Sequence, residues 1–449
     1  MKTTIYRASV LHFLSDPDHC EVGNEASAYE FFEHGALAVR DGKVLAVGEA
    51  KTVLRNYPDA EQVDYSGKLI TPGLIDTHIH FPQVEVIASY GGQLLDWLNN
   101  HTFPAEAKFE SKAYAATIAE FFLDELLKCG TTTALVFGTV HKQSVEAFFE
   151  ASQKRNTRMI CGKVLMDRNA PDYLTDTPES GYIDSKALIN TWHGKGRQLY
   201  AITPRFAITS TAEQLQQAGR LLQEHPTVYM QTHISENRAE VAYVNELFPD
   251  AKNYLDVYDQ YGLLGPRSVF AHGIHLEQCE RTRLKETGAS ISFCPTSNLF
   301  LGSGLLDLAT LQREQVPYSV ATDVGGGTSF SMLQTLNEAY KICQLQGHKL
   351  SPLKSMYMAT LGNAKSLQLE DKIGSFKQGL EADFVVFDFD STPLMRLRQS
   401  ACKTLEEKLF AMIMLGDDRS VSASYVAGNL AHNKCSALTR THPLNTKAE

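Results

Sequence analysis

Residues 69–80 read LITPGLIDTHIH, an apolar run that ends in two histidines separated by one residue. The run has the length of a strand, and the i, i+2 spacing places His78 and His80 on the same strand face. Seven further apolar runs follow, at 131–138, 158–166, 199–207, 227–235, 268–274, 290–296 and 318–324. Most gaps between them hold segments of helical period, such as TAEQLQQAGRLLQEH (211–225). Strands that alternate with helices predict a parallel sheet.

Eight strand–helix units within about 250 residues match the size of a (β/α)8 TIM barrel. A doubly wound open sheet is the competing α/β architecture, and the number of strands favours the barrel. In a barrel, the C-terminal ends of the strands carry the reactive groups.

The two ends of the chain have a β pattern. ALAVRDGKVLAVGE (36–49) places Asp41-Gly42 between two apolar alternations, which is a strong hairpin signal. ADFVVFDF (382–389) and SASYVAGNLAH (422–432) repeat the pattern near the C-terminus. Because an isolated hairpin is marginally stable, we expect both ends to share one small β-sandwich domain. The predicted limits are 1–70 and 373–449 for this domain and 71–372 for the barrel.

Composition narrows the class of protein. The formal net charge of −10 over 449 residues argues against a nucleic-acid partner. The chain contains no apolar run of membrane-spanning length, and its start lacks the apolar core of a signal peptide. Its eight cysteines are scattered without a C-x-x-C pair. They are interpreted as reduced thiols of a cytoplasmic protein without a membrane partner.

Several of the apolar runs end in a residue that can bind a metal or transfer a proton. The first ends in His78 and His80, the fifth in His233, the sixth in His272 and the eighth in Asp323. A single histidine at a strand end is more often an ordinary polar residue, but five such residues at converging strand ends form a pattern. Imidazole and carboxylate ligands together suit Zn²⁺, with Fe²⁺ or another first-row metal as the alternative.

At this point the chain resembles the amidohydrolase superfamily, through PGLIDTHIH (72–80) and IGSFKQGLEADFVVFD (373–388). The resemblance narrows to the guanine deaminase family and extends over roughly residues 30–430. The segments that carry it are THIHFPQ (77–83), LLDWLNNHTFPAE (94–106), TPRFA (203–207), THISEN (232–237), AHGIHL (271–276), FCPTSN (293–298) and TDVGGGTSFSML (322–333).

The resemblance implies a zinc-dependent enzyme that uses water to convert guanine to xanthine and ammonia, with one Zn²⁺ per chain. The metal ligands would be His78, His80, His233 and Asp323. His272 is either a further ligand or the residue that orients the water. Asp323 would act as general base and Glu236 as proton shuttle, although an acid in the first turn of a helix also explains Glu236.

Substrate contacts are expected from the residues around these ligands: His80, Phe81, Pro82, Gln83, Trp97, Arg205, Phe206, His233 and Asp323. Gln83 offers an amide donor and acceptor, and Arg205 offers fixed donors for a carbonyl such as O6 of guanine. Adenine would leave the Arg205 cation without a partner, so we expect guanine to be preferred. We also expect a homodimer.

Three alternatives stay open. The chain is another mononuclear amidohydrolase, such as a deaminase of a different base or nucleoside or a triazine-type hydrolase. It is a dinuclear hydantoinase-like enzyme, although such an enzyme needs a bridging lysine where this chain has PRFA (204–207). Or it is a non-catalytic scaffold, which zinc analysis would separate from an enzyme.

Overall fold

The computed structural model describes residues 2–19, 27–91 and 93–434, and two β-sheets organise them. One sheet takes its strands from both ends of the chain: β1 (Thr3–Phe13), β2 (Tyr29–Arg40), β3 (Lys43–Glu49), β4 (Glu61–Pro72), β14 (Phe384–Asp388), β15 (Val421–Val426) and β16 (Asn429–Asn433). The other sheet comes from the middle of the chain: β5 (Leu74–His80), β6 (Thr131–Phe137), β7 (Arg158–Gly162), β8 (Val164–Leu165), β9 (Leu199–Pro204), β10 (Tyr229–Ile234), β11 (Ser268–His272), β12 (Ser290–Phe293) and β13 (Tyr318–Val320).

Helices occupy most of the connections between these strands. They are α1 (Ala50–Asn56), α2 (Leu94–Trp97), α3 (Phe103–Ala107), α4 (Lys112–Lys128), α5 (Lys142–Arg155), α6 (Pro178–Trp192), α7 (Ala212–Glu224), α8 (Arg238–Leu247), α9 (Tyr254–Asp259), α10 (Gln278–Thr287), α11 (Pro295–Phe300), α12 (Leu308–Glu314), α13 (Met332–Leu345), α14 (Pro352–Tyr357), α15 (Asn363–Ser366), α16 (Pro393–Ser400) and α17 (Leu405–Leu415).

The central sheet is a parallel barrel. Its strands follow the order β5-β6-β7-β9-β10-β11-β12-β13, and β8 pairs with β9. The backbone N–H of His80 donates to the carbonyl of Val324 at 2.7 Å, and that of Asp323 donates to the carbonyl of His78 at 2.9 Å. The first strand therefore meets the segment that follows the last one. The predicted (β/α)8 barrel is confirmed.

The first predicted run is divided between the two sheets. Leu69–Pro72 belong to β4 of the terminal sheet, and the chain enters the barrel as β5 only after Gly73. A Cβ at Gly73 would lie 2.1 Å from Oγ1 of Thr132, so the backbone passes too close to the next strand for any side chain here. Continuous apolar character hides this change of sheet, because both segments are buried.

The terminal sheet has the order β16-β15-β14-β4-β1-β2-β3. Asp41 and Gly42, with φ of 52° and 74°, form the expected tight turn between β2 and β3. The N–H of Val44 on β3 donates to the carbonyl of Leu380, which precedes β14, so the sheet folds back toward its C-terminal half. The predicted small β domain from both termini is confirmed, and its limits at 70 and 373 stay a prediction.

Buried ion pairs join the barrel to the terminal domain. Arg158 at the start of β7 donates to both oxygens of Glu381, at 3.0 and 2.5 Å. Arg197 donates to Glu381 and to Asp383, the residue before β14. In the part of the chain that the structure describes, no helix is long and apolar enough to cross a membrane.

Candidate active site

The five predicted metal-site residues meet at the C-terminal end of the barrel strands. His78 and His80 lie on β5, His233 lies on β10, His272 ends β11, and Asp323 follows β13. Nε2 of His80 is 3.2 Å from Nε2 of His78 and 3.3 Å from Nε2 of His233. Oδ1 of Asp323 is 3.2 Å from Nε2 of His78 and 3.3 Å from Nε2 of His80. The barrel thus brings five residues from four strand ends into one cluster.

The protonation of the cluster follows from its burial. Burial lowers the pKa of His80 to about 4 and holds the pKa of His233 well below its usual value, so both rings are neutral near pH 7. Burial alone would raise the pKa of Asp323, but the surrounding imidazoles, His78 foremost, hold it well below the usual value. His80 and His233 therefore present neutral nitrogen donors beside an ionised carboxylate.

These side chains fit a small cation. Nδ1 of the neutral His233 ring donates to the carbonyl of Arg205 at 2.7 Å, so its Nε2 faces the other rings with a lone pair. A tetrahedral zinc site with Zn–N bonds of about 2.0–2.1 Å separates its nitrogens by roughly 3.3–3.4 Å, close to the distances in this cluster. Lone pairs at that separation repel each other unless they share a cation.

His272 has a different surrounding. The side-chain amide of Asn298 on α11 donates to Nδ1 of His272 at 2.9 Å. The hydrogen of the neutral ring then sits on Nε2, which is 3.4 Å from Oε2 of Glu236 and 3.8 Å from Oδ2 of Asp323. Cys294 reaches the same side of the cluster, and burial raises the pKa of its thiol well above the usual value.

Two of the residues adopt a left-handed backbone. His272 has φ 73° and Asp323 has φ 52°. This conformation costs roughly 1–2 kcal/mol in a residue with a Cβ, and functional sites commonly contain such conformations. Gly326 lies against Asp323, and a Cβ there would be 2.8 Å from the hydroxyl of Ser297. A glycine at this position permits the close approach.

Glu236 lies just before α8, not in its first turn. Its backbone N–H donates to Oε2 of Glu240, which also accepts from Asn237, the N-cap residue of α8. The hydroxyl of Ser303 donates to Oε1 of Glu236 at 2.9 Å. Burial raises the pKa of Glu236 well above its usual value, and the charges of Glu240 and Asp323 raise it further. The helix-dipole explanation of Glu236 therefore lacks its structural basis.

A cavity opens beside the cluster. Its lining residues are His80, Gln83, Leu94, Trp97, Leu98, Arg205, Phe206, His233, Glu236, His272, Leu301, Asp323 and Gly326. Seven of the nine predicted substrate contacts are in this lining. Phe81 and Pro82 are not: both are buried, and the Phe81 ring packs against those of Phe109, Phe122 and Phe148.

Arg205 has an intramolecular partner, which the sequence analysis did not anticipate. Its Nη1 donates to both carboxylate oxygens of Glu106 on α3, at 3.0 and 2.9 Å. Nε2 of Gln83 donates to the same carboxylate at 3.1 Å. The expectation that adenine would leave Arg205 unpaired is therefore wrong as stated, because Glu106 compensates the cation within the protein.

Sequence reasoning also missed Ser303 and Asn298, which contact Glu236 and His272. Glu106 and Asn298 lie inside segments that carried the family resemblance, so a polar residue within such a segment was the available signal. Ser303 lies in the loop after α11 and has no comparable signal.

Comparisons with known proteins agree with this geometry. Residues 69–431 match the model of the Amidohydrolase family. Guanine deaminase of Escherichia coli (strain K12) is 56% identical over 410 residues, which cover 91% of this chain and 93% of the relative. The human guanine deaminase is 34% identical and covers 80% of this chain and 81% of its own length. The chain belongs to the guanine deaminase family of amidohydrolases.

Solved structures of the family superpose over nearly the whole chain. A guanine deaminase from C. acetobutylicum, solved with guanine bound in its active site, has a TM-score of 0.86 at 30% identity. It covers 96% of this chain and 100% of its own. The predicted membership of this family is confirmed.

Proposed function

We propose that this chain hydrolyses guanine: guanine and one water give xanthine and ammonia. The observation that carries the proposal is the arrangement of a single cavity. Glu236 and Asp323 line it together with three histidines of the cluster, and Gln83 and Arg205 add groups suited to the edge of a purine. Membership of the guanine deaminase family supports the same reaction.

The proposed metal is one Zn²⁺ per chain, held by His78, His80, His233 and Asp323. Neutral imidazoles beside an ionised carboxylate are a donor set that zinc prefers. When bound, zinc would lower the pKa of water from about 15.7 to about 7. For His272 we propose the orienting role, because its Nε2 carries the hydrogen in the arrangement with Asn298.

Asp323 is the proposed general base. Its low pKa keeps it ionised near neutral pH, so it is able to accept the proton that water loses during attack on C2 of guanine. Nε2–H of His272, 3.8 Å from Oδ2 of Asp323, is placed to orient the water from the other side.

Glu236 is the proposed proton shuttle. Burial, together with the charges of Glu240 and Asp323, raises the pKa of Glu236 and so favours the protonated carboxyl. It would give this proton to the ring nitrogen as the water oxygen adds to C2. Glu236 would then take the second water proton, from the hydroxyl now on C2, and pass it to the departing amine, so that the C2 carbonyl of xanthine forms and the leaving group is ammonia. The proton that Asp323 accepted from the water would finally return Glu236 to its protonated form.

Recognition of the base is assigned to other residues of the cavity lining. Arg205 would donate to O6 of guanine, and Gln83 would contact the neighbouring edge. Phe206 and Trp97 would contact the ring faces, with His80 and His233 beside the reacting carbon. Phe81 and Pro82 would act through their buried position, which fixes the backbone of Gln83.

A panel of purines and pyrimidines tests the function. We expect ammonia release from guanine far above that from adenine or cytosine, and one zinc per active chain by elemental analysis. A preference for another base would support a different amidohydrolase activity. A zinc-free chain without turnover would support the scaffold interpretation.

We also propose that the enzyme is a homodimer of the cytoplasm, with domain limits near residues 70 and 373. The cysteines of the described residues are free thiols, as expected in a reducing compartment. Light scattering of the purified chain tests the dimer, cell fractionation tests the location, and limited proteolysis tests the domain limits.

A further inference from the structure

Glu106 is a buried carboxylate that the proposed reaction leaves without a role. It lies on the short helix α3 with no exposed surface. Both of its oxygens accept from Nη1 of Arg205, and Oε1 also accepts from Nε2 of Gln83. Its partners are therefore the two polar residues assigned to the edge of the base.

Glu106 cancels a charge that the cavity would otherwise contain. Arg205 is buried, with the Phe103 ring 5.4 Å from its guanidinium carbon. A single ion in such surroundings is strongly unfavourable, whereas a hydrogen-bonded pair is tolerated. With Glu106 in place, Arg205 keeps its hydrogen-bond donors, but the pair carries no net charge.

Glu106 also sets the direction of the Gln83 amide. A carboxylate only accepts hydrogen bonds, so the amide nitrogen of Gln83 must face it. Oε1 of Gln83 is then directed toward the backbone N–H of Gly325, at 3.4 Å. One carboxylate thus fixes both polar side chains at this edge of the cavity.

We propose that Glu106 is a specificity-determining residue that makes the site select a neutral base over an anionic one. This inference rests on the proposed function. Guanine is neutral near pH 7, whereas its product xanthine loses a ring proton at mildly alkaline pH. A net-neutral Arg205–Glu106 pair binds the carbonyl of either base but gives no extra attraction to the xanthine anion, which favours product release.

Other titratable groups around the pair do not obscure this effect when variants are compared. His80 lies on the cluster side, where burial and its neighbours, Arg205 among them, keep its ring neutral. Burial lowers the pKa of His141, while the charges of Glu110 and Glu106 raise it and that of Lys163 lowers it. Loss of the Glu106 charge therefore lowers the pKa of His141 further, so its ring stays neutral at mildly alkaline pH in both proteins. His80 and the metal are common to both proteins, so their contributions cancel in a ratio.

The test is calorimetric binding of xanthine and hypoxanthine to the zinc-loaded enzyme. Both bases carry the C6 carbonyl, and hypoxanthine stays largely neutral where xanthine is an anion. The measured quantity is the ratio of the affinity for xanthine to the affinity for hypoxanthine. At mildly alkaline pH we expect this ratio to be about tenfold or more higher in Glu106→Gln than in the wild type. At mildly acidic pH, where both bases are neutral, the ratio should not change. Glu106→Asp keeps the charge and should retain the wild-type ratio.

The outcomes separate specificity from structure. A structural role would weaken both bases alike and leave the ratio unchanged in Glu106→Gln, which would overturn the proposal. If Glu106→Gln does not fold, Arg205→Gln gives the reverse test: the remaining carboxylate should disfavour the xanthine anion, and an unchanged ratio there overturns the proposal too. Failure of the proposed function is visible separately, as a wild type that releases no ammonia from guanine.

Discussion

The hydroxyl of Ser303 donates a 2.9 Å hydrogen bond to Oε1 of Glu236. The other carboxyl oxygen, Oε2, is 3.4 Å from Nε2 of His272. The ring of His275 in turn contacts the carbonyl of Ser303 at 3.2 Å. One oxygen of Glu236 is thus fixed by a loop, so the position of the proposed proton shuttle depends on residues outside the barrel strands.

Ser303→Ala should lower kcat by about tenfold or more and change KM less. Ser303 stabilises the ionised form that Glu236 takes once it has given up its proton, and a hydrogen bond to a charged group contributes about 1.5–3 kcal/mol. The Ser303 bond opposes the increase in the pKa of Glu236. Without the bond that pKa rises further, so the alkaline limb of the kcat–pH profile should move upward. Ser268→Ala is the matched control, because this buried serine donates to the carbonyl of Leu263, far along the strand from the site. Equal effects of the two variants would assign Ser303 a structural role.

Glu236→Gln should keep the fold and the zinc but lose turnover by about 10²–10⁴-fold, the usual contribution of a general acid–base group. The amide has the same shape but cannot transfer the proton. Steady-state kinetics and zinc analysis of the same sample check this. Loss of zinc would identify Glu236 as a metal ligand. A near-normal kcat would exclude Glu236 as the proton shuttle.

The predictable part of the site is the part that strand periodicity controls. His78, His80, His233, His272 and Asp323 follow apolar runs, so their convergence follows from the barrel itself. Glu106 is 99 residues from Arg205 along the chain, and Ser303 is 67 residues from Glu236. Both pairs depend on how loops and short helices pack over the barrel mouth. Such packing has no period, so the sequence alone did not reveal these contacts.

The same distinction applies to the parts of the fold that could and could not be predicted. Eight buried strands were predictable from apolar runs bounded by turns, whereas the change of sheet at Gly73 was not. It depends on the close approach of Gly73 to Thr132, which is a contact between neighbouring strands.

Removal of the metal should abolish turnover and lower the thermal unfolding midpoint. Without a cation, the neutral nitrogens of His80 and His233 face each other at 3.3 Å without a shared partner. Zinc added back should restore both activity and unfolding midpoint, with one equivalent per chain at saturation. Dialysis against a chelator, calorimetry and zinc titration measure these changes. Full activity of the metal-free protein, or a requirement for two equivalents, contradicts the assignment.

Glu381→Gln should destabilise the junction between barrel and terminal domain. The carboxylate accepts from Arg158 and Arg197, and breaking one side of a buried pair costs about 3–5 kcal/mol. Burial alone would raise the pKa of Glu381, but the two arginines hold it below its usual value. The extra stability of the wild type over Glu381→Gln should therefore be complete above the pKa that Glu381 has in the unfolded chain. It should disappear as the pH falls through the pKa that Glu381 has in the folded protein.

Thermal unfolding midpoints of both proteins across that acidic range check this prediction. Glu406→Gln serves as the control, because Glu406 lies exposed in the first turn of α17. The difference in unfolding midpoint between wild type and Glu381→Gln should narrow on acidification. If it does not narrow, the loss of stability comes from packing and not from charge.

The preference for guanine over adenine should depend on Arg205. Guanine presents an acceptor, O6, where adenine presents an amino donor, and guanidinium only donates. Because Glu106 takes only Nη1, the other donors of Arg205 are the ones assigned to O6. A site built around such a bond can reject an analogue that lacks the partner by about 10⁴-fold.

Arg205→Ala should lower kcat/KM for guanine by about 10–100-fold and narrow the gap to adenine. It also leaves Glu106 buried without its cation, so thermal unfolding must be followed in parallel. Arg205→Ala combined with Glu106→Gln separates the loss of the hydrogen-bond donor from the loss of stability. The double variant has no unpaired buried charge, but it still lacks the donor. If the double variant regains stability while guanine stays poorly used, recognition resides in Arg205. If both variants still prefer guanine over adenine, another residue donates to O6, and Gln83 is then the next residue to replace.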